Sequence, residues 1–419
     1  MNSTRDMLGR GGLLSVRQAV EVITAQLAGH TPASESLPLA EAFERVLATR
    51  LLSPVNLPAE ARSTMDGFAV RASDTFGASQ GSPCYLTISG EVRMGEAPQG
   101  EVVAGSCYKI PTGGLLPAGA DAVVMLEDTV EVDATMIEIV KGVPAGGNVI
   151  TPGEDIAAGA LALDTGSILR PQDIGLLAGL GMASVEVFRQ VRVGILSTGD
   201  EIVPHHETPR PGQIRDINSL ALAGQVRQAG GMAHILPIVS DREEIFLPAL
   251  REAVAANDLV LFSGGSSVGA RDLGERAIAA LGPPGILIHG VALKPGKPII
   301  FGMSGATPIF GLPGHPVSAM VCFDLFVRPA MVLLAGRHGD DLPLPHVTAT
   351  LARNINSAPG RRDIVRVRLE PSDQGWVAEP VLGKSGAIST LSRAHGWFAI
   401  DENSQGLTEN SLIEVFLYS

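Results

Sequence analysis

Between residues 191 and 264 the chain alternates two patterns that only a few folds can accommodate. VRVGILST, MAHILPIVS and DLVLFSGG are short apolar runs of strand length, separated by INSLALAGQVRQAGG and REEIFLPALREAVAAN, whose apolar residues recur at helical spacing. Strands alternating with amphipathic helices imply right-handed βαβ units and a parallel sheet covered on both faces. Ligands of such sheets lie beyond the carboxyl ends of the strands. Here those ends read STGDE, SD and SGGSSVGARD, polar and glycine-rich, on one expected rim.

The rest of the chain divides around this unit. SVRQAVEVITAQLA opens with a capping box, Ser15 with Gln18, and LPLAEAFERVLATRLLS, residues 37–53, reads as a second short helix. From about residue 59 to 153 the runs become short, β-rich and cut by Gly and Pro, as expected of a separate β domain. SILRPQDIGLLAGLGMASVEVFRQ then reads as a helix and a linking strand, and four alternating runs after the DLPLP spacer read as a last small sheet. The expected division is 1–58 with 154–188 as a helical and linking domain, 59–153 as an inserted β domain, 189–337 as the α/β domain and 343–419 as a C-terminal β domain.

Composition narrows the partners. A chain of 419 residues, 45% hydrophobic, can bury several cores. Acidic residues number 44 against 31 basic, a formal charge of −13, which disfavours nucleic acid. The sequence gives no expected membrane span and no export signal, so the expected location is the cytoplasm. Cys84, Cys107 and Cys322 form no CxxC pair and read as three buried thiols.

Any anion must therefore be held by a local device, and several are visible. Ser197, Thr198, Gly199, Asp200 and Glu201 place hydroxyls, a glycine and carboxylates at a strand end, although Gly-Asp is also an ordinary turn pair. Ser263, Gly264, Gly265, Ser266, Ser267 and Gly269 offer backbone amides and hydroxyls as an anion nest, with Asp272 near the next helix start, where it could equally serve as an N-cap. KPGKP fixes Lys294 and Lys297 on a Pro-Gly turn beside an apolar strand, an arrangement that suits an oxyanion. GLPGHPVS, with Pro313, Gly314 and His315, turns into a long apolar helix whose free amides also attract anions; His315 reads either as a donor or as a polar turn residue. In STMDGFAV, Asp66 reads most simply as a turn residue bonding its own backbone.

In chain order, STMDGFAVR, IPTGGLLPAGADAVVMLED, GEDI, ILSTGDEIV, GQIRDINS, SGGSSVGARD, LKPGKPIIFG and GLPGHPVSA resemble the molybdopterin molybdenumtransferase family, the MoeA-like proteins and the gephyrin E domain. The resemblance implies an α/β multidomain homodimer that binds adenylylated molybdopterin and molybdate, inserts the metal and releases AMP with Mg²⁺. It implies that Glu201, Asp241 and Asp272 hold Mg²⁺, that Lys294, Lys297, Arg361 and Ser385 form the molybdate pocket, and that Asp66, Thr112 and Asp155 reach over the partner's α/β domain. It implies as partners a molybdopterin adenylyltransferase and acceptor molybdoenzymes. The chain departs from the family pattern in lacking arginines before GEDI, in His315 of GLPGHP and in His395 of AHG. A carrier or scaffold that binds the cofactor without inserting metal is the alternative those departures leave open.

Overall fold

The computed structural model describes residues 13–264, 268–337 and 344–418, with the backbone alone for 268–272. Its central sheet has six strands in the order Met232–Ile235, Arg192–Thr198, Leu259–Gly264, Thr307–Leu312, Ile300–Ser304 and Pro284–His289. The first four are parallel, and the last two extend the sheet through antiparallel pairings. Successive side chains of a strand point to opposite faces. Val193, Ile195, Leu259, Leu261 and Phe310 accordingly enter one core, while Leu196, Val260, Phe262 and Ile309 enter the other. Helices Asn218–Gln228, Glu243–Ala256 and Val268–Ala280 connect the strands.

The first core also receives the long helical segment Pro316–Leu334. Contrary to the sequence expectation, these 19 residues are long and apolar enough to cross a bilayer, yet 67% of the most apolar window is buried inside the protein. It is a core helix, with the Asp324–Arg328 ion pair inside it. Its middle, Phe323–Val327, widens to a π turn just before Pro329, whose ring lacks the N–H that the regular ladder needs. Helix Val16–Leu27 carries the expected capping box, Ser15 N–H donating to Gln18 Oε1 at 2.9 Å and Gln18 N–H to Ser15 Oγ at 3.2 Å. Its Val16, Ala19, Ile23 and Leu27 join the α/β core, so this helix packs with the sheet that follows much later in sequence.

Residues 37–53 do not form the expected helix. Ser34–Pro38 pairs antiparallel with Ser184–Phe188, only Leu39–Glu41 makes a 3₁₀ turn, and Leu51–Leu52 pairs with Leu161–Leu163. Burying Leu39, Ala42 and Leu47 against Leu169, Leu177 and Val187 requires the chain to reverse, and Glu44 adopts φ 61° to do so. Tertiary pairing here overrides helix propensity. Residues 67–139 contain a second sheet of six strands, with Phe68, Val70, Leu86 and Ile137 on one face and Ala69, Val102 and Tyr108 on the other.

At the C-terminus, strands Arg362–Ser372, Gly375–Pro380, His346–Leu351, Leu412–Leu417 and Gly396–Ile400 pair in that order, and the last returns to the first, closing a small barrel. One further strand joins it from the α/β domain: Leu293–Lys294 pairs in parallel with Arg362–Asp363. This short pairing welds KPGKP to the barrel. Cys107 and Cys322 are buried as expected, but Cys84 is only half-buried.

Candidate active site

The weld lies at the mouth of a cavity of about 570 Å³ between the α/β and C-terminal domains. Lys294, Lys297, Pro313, Gly314 and His315 line it from one side, and Arg361 and Ser385 from the other. Residues far apart in sequence thus converge because the KPGKP turn, the start of the helix at Pro316 and two barrel loops meet there. The turn is sterically tight: Gly296 has φ 125°, and a Cβ there would stand 2.7 Å from Cys322 Sγ and 2.8 Å from Leu293 Cδ2.

Asp363 organises the cations. It is 5% exposed, accepts from Arg361 Nε at 2.8 Å and lies 3.4 Å from Lys294 Nζ. Lys297 is exposed and makes no ion pair among the described residues. His315 settles its ambiguity by meeting Ser385: Nδ1 and the Ser385 Oγ are 2.9 Å apart, while the His315 side chain caps no helix amide. Arg366, 6% exposed, also lines the cavity; among the described residues its guanidinium reaches only the Val381 and Gly383 carbonyls and no carboxylate, and burial lowers its pKa. Tetrahedral oxyanions are bound by such converging, partly desolvated donors.

The glycine–serine rim lies beside this cavity, which Gly264 also lines. Ser197 and Ser263 are register neighbours, each 1% exposed, and among the described residues neither hydroxyl has a hydrogen-bond partner. Thr198 Oγ1 donates to Asp241 Oδ1 at 2.5 Å, tying the first strand end to the second. A Cβ on Gly264 would stand 1.8 Å from the Thr198 carbonyl oxygen, so only glycine allows the two strand ends this approach. Gly199 and Asp200 open onto another recess of about 620 Å³, bounded by Asp216, Ser219, Leu220 and Ile235. Glu201 sits close by, its carboxylate 2.8 Å from where a Gly199 Cβ would lie.

Gly265, Ser266 and Ser267 fall outside the described residues. Gly269 and Asp272 lie inside helix Val268–Ala280, so Asp272 is not the N-cap, and its side chain is outside the description. Among the described residues no three His, Cys, Asp or Glu side chains cluster as a ready metal site.

Asp66 and Thr112 do come together. Thr112 donates its backbone N–H at 2.7 Å and its hydroxyl at 2.9 Å to Asp66 Oδ1, and these two bonds hold the carboxyl below its usual range. Asp66 therefore bonds a residue 46 positions away, not its own backbone as the simple turn reading had it. Asp155 is exposed, its N–H bonded to the Leu57 carbonyl at 3.1 Å. None of these three lines the two cavities described above. Sequence reasoning missed Asp363, Arg366 and Lys384 in the cavity wall. Asp363 was within reach, two positions after Arg361 in PGRRD; Arg366 sits in an alternating VRVRLE strand where an outward arginine is the ordinary expectation.

Fold and site together define a multidomain α/β protein with an interdomain cleft furnished for anions. Comparison with known proteins gives the family. Residues 14–181 match the MoeA N-terminal region (domains I and II), residues 194–332 a probable molybdopterin binding domain, and residues 348–418 the MoeA C-terminal region (domain IV). The molybdopterin molybdenumtransferase of Haemophilus influenzae is 35% identical over 96% of this chain and 98% of its own length. Molybdopterin molybdenumtransferase 2 of Mycobacterium tuberculosis is 32% identical over 96% and 99%. The crystal structure of a molybdopterin biosynthesis MoeA protein from Pyrococcus horikoshii superposes with a TM-score of 0.84 at 31% identity, covering 97% of this chain and all (100%) of that one. The chain belongs to the MoeA-like molybdopterin molybdenumtransferase family.

Proposed function

We propose that this chain inserts molybdate into adenylylated molybdopterin and releases AMP, a step of molybdenum cofactor biosynthesis. The observation that carries the reading is the convergence of Lys294, Lys297, Arg361 and Ser385, from two domains, on one cavity. Molybdate is a tetrahedral dianion, and a cluster of cations and hydroxyls preset by Asp363 is complementary to it. The names of the full-length relatives favour an enzyme over a carrier.

The pterin and its pyrophosphate occupy the rim. The recess at Gly199 and Asp200 offers an apolar wall and carboxylates for a heterocycle. Glu201, Asp241 and Asp272 supply the hard oxygen donors that suit Mg²⁺, and that ion supplies charge neutralisation to the pyrophosphate when bound. Asp241 is preset for this by the Thr198 hydroxyl.

Asp66, Thr112 and Asp155 act on the α/β domain of a second copy, in a cytoplasmic homodimer. The exposure of Ile214 (57%), Ile217 (41%) and Leu220 (46%) beside the rim recess supports this, because it leaves an apolar face suited to a second chain. An adenylyltransferase supplying the pterin and acceptor molybdoenzymes complete the set of partners.

The test is AMP release by the full chain given adenylylated molybdopterin, Mg²⁺ and molybdate, beside Lys297→Ala. Molybdate-dependent release that the variant loses is the expected result. Tight pterin binding with no AMP from either chain would make the protein a carrier.

A further inference from the structure

The interdomain cavity holds more positive charge than a single dianion neutralises. Lys294, Lys297, Arg361, Arg366 and Lys384 line it, and Asp363 is the one carboxylate among the described lining residues. Lys294, Lys297 and Lys384 are exposed, and Arg361 is half-buried and held by Asp363. Water and salt screen charges so placed. Arg366 differs from these four in being buried and, among the described residues, without a carboxylate partner. Its place follows from the strand that carries it. Along Arg362–Ser372, Val367 and Leu369 enter the barrel core, whereas Ile364 enters the α/β core. Side chains alternate along a strand, so Arg366 shares the face of Ile364 and stands at the domain joint. Its Nη2 donates to the Gly383 carbonyl at 3.2 Å and to the Val381 carbonyl at 3.4 Å, bonds that orient the guanidinium without neutralising it. Nε is sealed from solvent, so it is the outer end of the guanidinium that lines the cavity.

Burying a guanidinium without a counter-charge penalises the fold, and burial here lowers the pKa of the group. A bound anion removes that penalty. Coulomb energy is proportional to the charge of the ligand and grows as the dielectric falls, so a desolvated fixed charge separates a dianion from a monoanion more sharply than an exposed one does. We propose that Arg366 is the charge selector of this cavity, making it prefer a tetrahedral dianion over a tetrahedral monoanion of the same shape. This rests on the cavity being the oxyanion site, as proposed above. The exposed lysines draw anions of either charge, and Arg366 sets the preference between them.

Perrhenate is a tetrahedral oxyanion close to molybdate in size that carries a single charge, and it serves as the probe. Titration calorimetry of the full-length protein with sodium molybdate and with sodium perrhenate, at matched ionic strength and a pH where molybdate is fully deprotonated, is expected to show molybdate binding more tightly. In Arg366→Gln the molybdate affinity falls on the order of 10²-fold, the loss of one charge-assisted contact to a buried group, and the perrhenate affinity about tenfold, because half the charge loses half the interaction free energy. The preference therefore narrows about tenfold. Arg366→Lys, which keeps the charge and gives up the planar fork, retains the preference; circular dichroism checks that both variants are folded. Equal losses for the two ions, no loss for either, or a preference lost as fully in Arg366→Lys as in Arg366→Gln makes Arg366 a strut for the loop at 381–383 and overturns the proposal, while the oxyanion site stands. Wild-type protein that binds perrhenate as tightly as molybdate also overturns it. Wild-type protein that takes up neither ion overturns the oxyanion site and the proposal with it.

Discussion

The oxyanion cavity and the Asp66 cluster differ in a way that bears on how the protein works. The cavity draws its cations from one chain: Lys294, Lys297, Arg361 and Ser385 all line it, and Asp363 spans the domain joint to hold two of the cations. Asp66 and Thr112 are equally well organised, with two hydrogen bonds to a single carboxylate oxygen, yet they face neither cavity. An arranged carboxylate that lines neither cavity of its own chain among the described residues fits the proposal that it acts on a second chain. On the proposed reading, oxyanion binding is a property of the protomer, and turnover a property of the pair.

The strongest way to break that contrast is to mix inactive chains. Lys297→Ala and Asp66→Ala are each expected to lower AMP release on the order of 10²- to 10³-fold, the loss that removal of one electrostatic contact at a reacting centre produces. Co-refolded together, they are expected to regain much of it, because one of the two shared sites in a mixed dimer carries neither substitution. Recovery absent from verified heterodimers would put Asp66 outside the reaction. Asp363→Asn sharpens the other half. Loosening Lys294 and Arg361 is expected to raise the KM for molybdate roughly tenfold, with kcat changed much less, since the loss is of preset binding geometry. Equal losses in kcat and kcat/KM would mean that Asp363 acts in the transition state instead.

How much of this was legible in the sequence follows the range of the interactions. The βαβ alternation and the capping box at Ser15 and Gln18 are local patterns, and the structure keeps both. Residues 37–53 read as a helix because their spacing is helical, but their fate depends on Ser184–Phe188, more than a hundred positions on, which no window contains. The same holds at the site. KPGKP announces itself by composition, whereas the pairing of Lys294 with Asp363 joins residues 69 positions apart and needs the barrel to be closed first. His315 was undecidable alone; its meeting with Ser385 is made by two domains. Arg366 gave no signal, since burying an unpaired guanidinium is rare enough that pattern reading places it outside.

The joint that completes the cavity also carries a pH signature of smaller size. Asp324 is buried at that joint, facing Arg328, Gln225 and Tyr418. Burial raises its pKa, more than Arg328 and the hydrogen bond from Gln225 lower it. The folded carboxyl then holds its proton more tightly than the unfolded one. Its contribution is therefore fully present below the ordinary carboxylate range and lost as pH rises through the raised value. Denaturant titrations across that window should show the wild type losing stability with rising pH relative to Asp324→Asn, whatever the substitution does to the absolute level, because Asp66 and Asp173, held below the usual range, contribute the opposite slope to both chains. An unchanged slope would mean that Arg328 keeps the group ionised and that the joint is pH-insensitive.

The smallest expected effect tests whether the N-terminal half can be altered without touching the oxyanion cavity. Burial pushes the Cys107 thiol up to about 12 and raises that of Cys322 further, so neither supplies thiolate at neutral pH. Cys84, half-buried on the inserted sheet, is the remaining thiol. A small thiol reagent should therefore modify one cysteine per native chain and all three after denaturation, with mass spectrometry locating the first at Cys84. Molybdate affinity of the modified chain should be unchanged, because residues 84–91 line neither the oxyanion cavity nor the rim recess. A shift in affinity would instead couple the inserted domain to the cavity, and the division between a self-sufficient binding site and a shared catalytic one would have to be redrawn.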